Sequence, residues 1–177
     1  MIERPDKDIV LTGWVACEGT RILAERYEDE LIKKLPHSII KRAKNVDCSY
    51  KTEEFKNILG GDCLIYEAGE GGIFAGLWNM AEETDAGVVV ELADIRVRQE
   101  TIEICEFFDV NPYMLCTKGT FLIVAENGNH VVRVLTENGY DAEVIGYTHS
   151  GADRVVLNDG ETRFLESRIK DELEKFI

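Results

Sequence analysis

Apolar and polar positions along the first third of the chain follow first the short period of a β-strand and then the longer period of helices. The β-branched apolar run at residues 9–15 predicts a strand. From Thr20 to Leu35 apolar side chains recur at helical spacing, and Pro36 ends the pattern. Two shorter helices are predicted at residues 38–44 and 52–59, the second with Thr52 as its cap and Gly60-Gly61 as its stop.

The remaining two thirds alternate strands and helices without an internal repeat. Strands are predicted over residues 62–67, 88–92, 120–125, 143–147, 154–157 and 162–165, and helices over residues 73–83, 98–108 and 129–138. In the helix at 98–108 the spacing places Ile102, Cys105 and Phe108 on the buried face. Residues 166–177 form a charged amphipathic tail. The predicted fold is α+β, an α/β layered arrangement in which helices flank a mixed β-sheet, as a single domain over residues 1–177.

Composition narrows the classes of function. The chain is 45% hydrophobic and 31% charged, without a long uninterrupted apolar stretch and without a signal-peptide pattern, so we expect a cytoplasmic protein and no membrane partner. Its net charge of −14 repels nucleic acid and anionic lipid. A local basic pocket could still bind a phosphate, so a small phosphorylated ligand remains a possible partner.

The cysteine and histidine residues predict no metal site. Five cysteines lack a C-x-x-C pair, and the three histidines have no partner at metal-ligand spacing. We therefore expect reduced, structural cysteines. Cys17 and Cys116 flank predicted loops and are the two whose reactivity is worth testing.

The best candidate for a site is the loop Gly69-Glu70-Gly71-Gly72, which joins a predicted strand to a predicted helix. Glycines beside the unpaired N–H groups of a helix N-terminus can cradle an anion. The competing interpretation is a tight turn that needs positive φ angles. Both interpretations are open on the residues alone.

Three further candidates accompany this loop. Glu67 ends the strand before it and could contact a metal or a substrate hydroxyl, although such carboxylates are often only solvated. Glu18-Gly19-Thr20 lies at another strand-to-helix junction, where helix initiation is the alternative. Lys118 precedes an apolar strand and could offset phosphate charge, or could simply be exposed.

Several segments occur in an order that resembles a known family. They are DIVLTGWVACEGTRILAERYEDEL, EGGIFAGLWNMAEE, RQETIEICEFFDVNPYML and DRVVLNDGETRFLE. Together they are similar to the C-terminal domain of the aminoimidazole ribonucleotide (AIR) synthase superfamily, whose members include PurM, thiamine monophosphate kinase and the hydrogenase maturation factor HypE. The resemblance is closest to HypE-like, AIR-synthase-related proteins of clostridial type, and it implies a PurM C-terminal domain-like fold.

The resemblance also implies a partner for this domain. In the superfamily an N-terminal domain supplies most of the ATP site and the dimer barrel, and the C-terminal domain closes the cleft with its glycine loop. We expect that ATP-binding domain to be absent from this chain. ATP and Mg are cofactors of the parent family, and none is firmly predicted for this chain. The expected partners are a separate ATP-binding domain or a second copy of the chain as a homodimer.

The sequence departs from the family pattern at two places. The family often has Asp-x-Thr-x-Gly-Gly at the glycine loop, and here Glu67 stands at the carboxylate and Gly69 at the threonine. The chain also lacks the cysteine-bearing tail of HypE, so carbamoyl chemistry of that type is not expected. The first hypothesis is a cleft-forming domain that gives a phosphate or substrate site to an ATP-dependent enzyme and is inactive alone. The second is a non-catalytic domain that binds a ligand or a protein.

Overall fold

A computed structural model describes residues 6–177, which form one seven-stranded mixed sheet. The strands are β1 (Lys7–Thr12), β2 (Leu64–Ala68), β3 (Gly87–Glu91), β4 (Thr120–Ala125), β5 (Ala142–His149), β6 (Arg154–Asn158) and β7 (Glu161–Phe164). Their order in the sheet is β2-β4-β1-β5-β3-β6-β7. Neighbouring strands are antiparallel except for β3 and β6, which are parallel. The mixed sheet predicted from the sequence is therefore confirmed.

Helices cover both faces of this sheet. They are α1 (Cys17–Arg26), α2 (Glu28–Leu31), α3 (His37–Lys44), α4 (Thr52–Leu59), α5 (Gly72–Thr84), α6 (Gln99–Phe108) and α7 (Gly128–Glu137). Alternate residues of β1 pack on opposite sides: Ile9 and Leu11 join the core with α5, whereas Val10 joins the core with α4 and α7. Both faces of the central strands are buried, which explains why β4 reads as a continuous apolar run.

A third hydrophobic cluster lies between α1, α3 and α6. Leu23, Ile40 and Ile104 are its fully or almost fully buried side chains, and Leu115 and Leu173 join it from other parts of the chain. This helical cluster holds α1 and α6 at one end of the sheet. The cluster thereby packs α1 against α3 and α6.

The sequence predictions at α1 and α6 need correction. The helix predicted from Thr20 to Leu35 begins earlier, at Cys17, and is interrupted at Tyr27, whose φ of −117° separates α1 from α2. Tyr27 turns its ring into contact with Phe108 and Phe176, a tertiary contact that local spacing does not reveal. Ile102 was predicted to be buried and is 36% exposed, because Ile104 and Cys105 form the packed face of α6.

The predicted turns are confirmed. Gly60 ends α4 with a φ of 75°, and Gly139 follows α7 with a φ of 86°. Asp159 and Gly160 join β6 to β7 and both have positive φ, as a tight hairpin requires. The predicted cap of α4 is wrong: Thr52 is the first residue of that helix, and no side chain caps it.

Candidate functional site

The predicted site segments emerge at one edge of the sheet. Ala68, the last residue of β2, pairs with Thr120 at the start of β4, and Thr12 at the end of β1 pairs with Phe121. The glycine loop, the loop before β4 and the turn into α1 therefore leave the sheet side by side. Segments that are about 50 residues apart in sequence meet here because β2, β4 and β1 are neighbours.

The loop at residues 116–119, which we call the linking loop, joins the other two segments by hydrogen bonds. The amide of Thr117 donates to the carbonyl of Gly69 at 3.0 Å. The amide of Gly19 donates to the carbonyl of Cys116 at 3.0 Å, and the amide of Ala16 donates to Thr117 Oγ1 at 2.9 Å. Thr117 is 0% exposed, so these bonds form a buried connection beneath the edge.

The side chains at the edge differ in their accessibility. Lys118 is exposed and forms no salt bridge with any of residues 6–177. Glu67 is exposed, and its Oε1 accepts a hydrogen bond from the Gly119 amide at 3.2 Å. Glu18 is half-buried and is held by Arg21 at 2.9 Å. The edge thus presents one ammonium group that makes no salt bridge within residues 6–177 and two carboxylates that already have partners.

Gly71 and Gly72 have the backbone conformation that the tight-turn interpretation of the glycine loop requires. Their φ angles are 79° and 74°, in the region that favours glycine. A Cβ at Gly72 would overlap the carbonyl of Tyr113, and a Cβ at Gly71 would lie 2.5 Å from that of Ala75. Both glycines are therefore required by the turn and by close packing at the start of α5.

The other two loop residues have more room. Gly69 is half-buried, and a Cβ built there would meet nothing within 4 Å. Glu70 is exposed. In this structure the open part of the loop is therefore Gly69-Glu70, whereas Gly71-Gly72 shapes the turn and the Gly71 amide is bonded within the chain.

The amide of Gly71 already has an anionic partner within the chain. Asp171, 8% exposed, accepts hydrogen bonds from the amides of Gly71 at 2.8 Å, Leu173 at 2.8 Å and Cys116 at 3.1 Å. The carboxylate thus lies between the glycine loop and the linking loop. Sequence reasoning missed Asp171, and its only local signal is a position just before the short 3₁₀ turn at Glu172–Lys175, which it caps.

The turn into α1 is built more for packing than for contact with a ligand. Gly19 faces Leu115, whose Cγ would lie 2.5 Å from a Cβ at that position. Thr20 is 0% exposed, and its hydroxyl donates to the carbonyl of Ala16 at 2.6 Å. Of the predicted Glu18-Gly19-Thr20 group, only Glu18 reaches the accessible edge.

Two arginines lie beside this turn and were not singled out from the sequence. Arg96 and Arg98 stack on the ring of Trp14, with guanidinium-to-centroid distances of 5.0 and 4.7 Å. The carbonyl of Arg96 accepts a hydrogen bond from the Val15 amide at 3.1 Å. Cation–π contacts explain this arrangement, and spacing along the sequence does not predict it.

Burial makes the cysteines near the site poor nucleophiles. It raises the pKa of Cys17 to about 11 and of Cys48 to about 12. Burial also raises the pKa of Cys116, with a smaller contribution from the nearby carboxylates Asp171 and Glu18. The thiolate is the reactive form, so these thiols are not activated.

The residues at the edge do not by themselves form a metal site. Within residues 6–177 no three His, Cys, Asp or Glu side chains converge so as to hold a metal ion. Glu67 could provide one carboxylate ligand, and Mg²⁺ usually completes its coordination shell with water and substrate phosphates. The described residues also contain no helix that is long and apolar enough to cross a membrane.

Comparison with known proteins assigns the family. The sequence profile of the family described as "AIR synthase related protein, C-terminal domain" matches residues 63–158, which is more than half of the chain. The matched range contains the glycine loop, α5, the linking loop and the core strand β4. The chain belongs to this family.

Solved structures share the fold. The hydrogenase maturation protein HypE in complex with ATP has a TM-score of 0.75 and 21% identity, covering 96% of this chain and 52% of that protein. HypE in a HypE–HypF complex has a TM-score of 0.71 and 18% identity, covering 92% of this chain and 53% of that one. Thiamine-monophosphate kinase from Stenotrophomonas maltophilia K279a has a TM-score of 0.64 and 14% identity, covering 90% of this chain and 52% of that one.

The fold is therefore the PurM C-terminal domain-like arrangement that the sequence indicated. This chain spans about half the length of these structural neighbours. A comparison with curated protein sequences found no match.

Proposed function

We propose that this domain forms one wall of the cleft of an ATP-dependent enzyme of the AIR synthase superfamily and presents its substrate or phosphate side. The observation that carries the proposal is the edge at which the linking loop joins the glycine loop to the α1 turn. Fold similarity to HypE, which has been solved with ATP, supports the enzyme class. The similarity to a thiamine-monophosphate kinase extends that support to phosphate chemistry.

In this proposal Lys118 and the Gly69-Glu70 part of the loop contact the ligand. Lys118 offers an unpaired positive charge at the edge, which suits a phosphate. Gly69 leaves space for close approach. Glu67 lies at the same edge, and its carboxylate accepts a hydrogen bond from the Gly119 amide of the linking loop.

The proposal needs a second body to complete the cleft. An ATP-binding domain, either in a further segment or in a partner chain, would provide the nucleotide site, and the domain alone would be inactive. Fold similarity to HypE in its complex with HypF supports a protein partner. A homodimer is the other arrangement that we propose to test.

The direct test is calorimetric titration of inorganic phosphate into the purified chain and two charge-reversal variants. Lys118→Glu should weaken binding about tenfold, because a favourable contact becomes a repulsive one near the protein surface. Lys33→Glu, an exposed lysine in the turn after α2, is the control and should leave the affinity unchanged. Equal affinities for the two variants would reject the proposed site.

Gly69→Thr provides a complementary gain-of-function test. It restores the hydroxyl that the family pattern has at this position, and a Cβ at Gly69 would meet nothing within 4 Å. We expect a severalfold rise in phosphate affinity from one added hydrogen bond. Unchanged affinity would mean that the loop does not face the ligand.

A second candidate function is a non-catalytic domain that binds a ligand or a protein. The observation that favours it is the Asp171 carboxylate, which occupies the Gly71 amide that an anion cradle would use. If this is the function, phosphate binding will not depend on Lys118 or Gly69. Adding an ATP-binding partner chain with Mg–ATP will then produce no turnover.

A further inference from the structure

We propose that the C-terminal segment at residues 166–177, the strap, closes the glycine-loop site, with the Asp171 carboxylate standing in for the anion that the site binds. This inference rests on the proposed function and concerns its regulation. It follows from where the carboxylate lies, which groups hold it and how the strap is attached on either side.

The position of Asp171 is that of a bound anion. A buried carboxylate needs compensation, and Asp171 obtains it from backbone amides. Among residues 6–177, no lysine, arginine or histidine forms a salt bridge with it. Two of its donors, Gly71 and Cys116, belong to the glycine loop and the linking loop, whereas the third, Leu173, belongs to the strap itself. An incoming oxyanion could accept from the first two only after Asp171 leaves.

The strap also covers the loop sterically. The carbonyl oxygen of Ile169 lies 3.0 Å from the position of a Cβ at Gly71, so strap and loop backbones are in contact. A cavity of about 260 Å³ remains beside this contact. Its lining includes Glu70, Gly71, Glu166, Arg168, Asp171 and Glu174. Space for a ligand therefore adjoins the Gly71 amide on the strap side.

The charges around this cavity are mostly negative. Glu70, Glu166 and Glu174 are exposed in its lining, and Arg168 is the one cation among the described residues that line it. Like charges oppose the burial of Asp171 in their midst, although solvent weakens the repulsion. A phosphate meets the same repulsion, so we expect it to bind weakly, with a Kd in roughly the millimolar range.

The strap has anchors on both sides of Asp171. Before it, Leu165 is buried and its amide donates to the carbonyl of Arg154 at 2.8 Å. After it, Leu173 is buried and the Phe176 carbonyl accepts from Tyr27 Oη at 3.1 Å. These anchors hold the strap over the glycine loop, so weakening one of them should favour the open form.

The test compares phosphate affinity by calorimetry in the full chain and in Asp171→Asn. The amide side chain has the same shape but carries no charge, and its NH₂ group cannot accept a hydrogen bond. Because closure lowers the apparent affinity by the fraction of molecules that are open, we expect phosphate to bind about tenfold more tightly to the variant. Asp29→Asn, which removes an exposed charge in α2, should not change the affinity.

A second variant and a second measurement cover the case in which Asp171→Asn unfolds. Phe176→Ala removes ring contacts with Tyr27 and Phe108 at 5.9 and 5.1 Å, which loosens the strap without touching its carboxylate. It should raise phosphate affinity by a smaller factor. In the unmodified chain, phosphate should increase hydrogen exchange in the strap and decrease it at residues 69–72.

Two results would overturn the proposal that the strap closes the site. One is equal phosphate affinity in the unmodified chain and in folded Asp171→Asn or Phe176→Ala. The other is hydrogen exchange in the strap that stays constant or falls when phosphate binds. If Lys118→Glu still weakens phosphate binding in either case, only the proposed closure by the strap is wrong, and the proposed function stands. If Lys118→Glu also has no effect, both fail.

Discussion

At the scale of single residues, the two ends of the glycine loop have different roles. Gly71 and Gly72 are fixed by positive φ angles and by neighbouring backbone, whereas Gly69 has open space around it. A mutation at Gly71 therefore tests the turn before it tests any ligand. This is why Gly69 and Lys118 are the informative positions for binding.

The first prediction separates the cost of a positive φ angle, tested at Gly139, from the added cost of steric overlap at Gly72. Gly139→Ala places a Cβ at a φ of 86° with nothing within 4 Å, so it should lower the free energy of unfolding by about 1 kcal/mol. Gly72→Ala adds overlap with the carbonyl of Tyr113 and should cost at least about 3 kcal/mol or prevent folding. Urea denaturation measures both variants. Equal losses would show that the loop is not packed against the turn at Pro112–Met114.

The second prediction concerns the thiols near the site. Because burial raises the pKa of Cys17 from 9.0 to about 11, its thiolate fraction at neutral pH should be about a hundredfold below that of an ordinary thiol. Alkylation of Cys17 by iodoacetamide should therefore be slow in the folded chain and should keep accelerating above pH 9. Mass spectrometry of the modified peptides measures this. A rate that levels off below pH 9 would contradict it.

The same shift has a consequence for stability with a defined sign. The unfolded chain loses the Cys17 proton near pH 9 and the folded chain near pH 11, so the folded state binds more protons between these values. Stability contributed by this group is therefore complete below pH 9 and falls as the pH rises through that window.

At the scale of elements, the linking loop organises the edge. Thr117 Oγ1 accepts from the amide of Ala16 and donates to Thr120 Oγ1 at 3.1 Å, so one buried hydroxyl connects the α1 turn to the start of β4. We predict that Thr117→Val lowers the free energy of unfolding by about 1–3 kcal/mol, because it leaves a buried N–H without an acceptor.

The matched control for that prediction is Thr162→Val on the exposed strand β7. It should change stability by less than about 0.5 kcal/mol, as surface substitutions usually do. Thr117→Val should also weaken phosphate binding, because Lys118 adjoins it. A variant with normal stability and normal binding would show that the linking loop does not hold the edge together.

The elements also show how far sequence reasoning reaches. β4 and α5 were predicted almost to the residue because their apolar patterns are long and regular. The interruption of the helix at Tyr27 was not predicted, because Tyr27 makes aromatic contacts with residues that are distant in sequence. Asp171 was missed for the same reason, since its partner Gly71 is 100 residues away and no local pattern links them.

At the scale of the whole molecule, the domain combines a well-buried core with an acidic surface. Its net charge of −14 gives it a self-repulsion that dissolved ions screen. We predict that adding about 0.5 M NaCl raises the midpoint of thermal unfolding by a few degrees. A lower midpoint in salt would mean that local ion pairs, rather than net charge, dominate the electrostatics.

The central claim is that the glycine loop, the linking loop and the α1 turn form one ligand-facing edge. The most direct measurement is a titration of the ¹⁵N-labelled chain with inorganic phosphate, followed by NMR of the backbone amides. The account predicts that the shifting resonances belong to residues 69–72 and 116–119 together with Glu18. Shifts confined to lysines of other helices, or no shifts at concentrations well above millimolar, would contradict it.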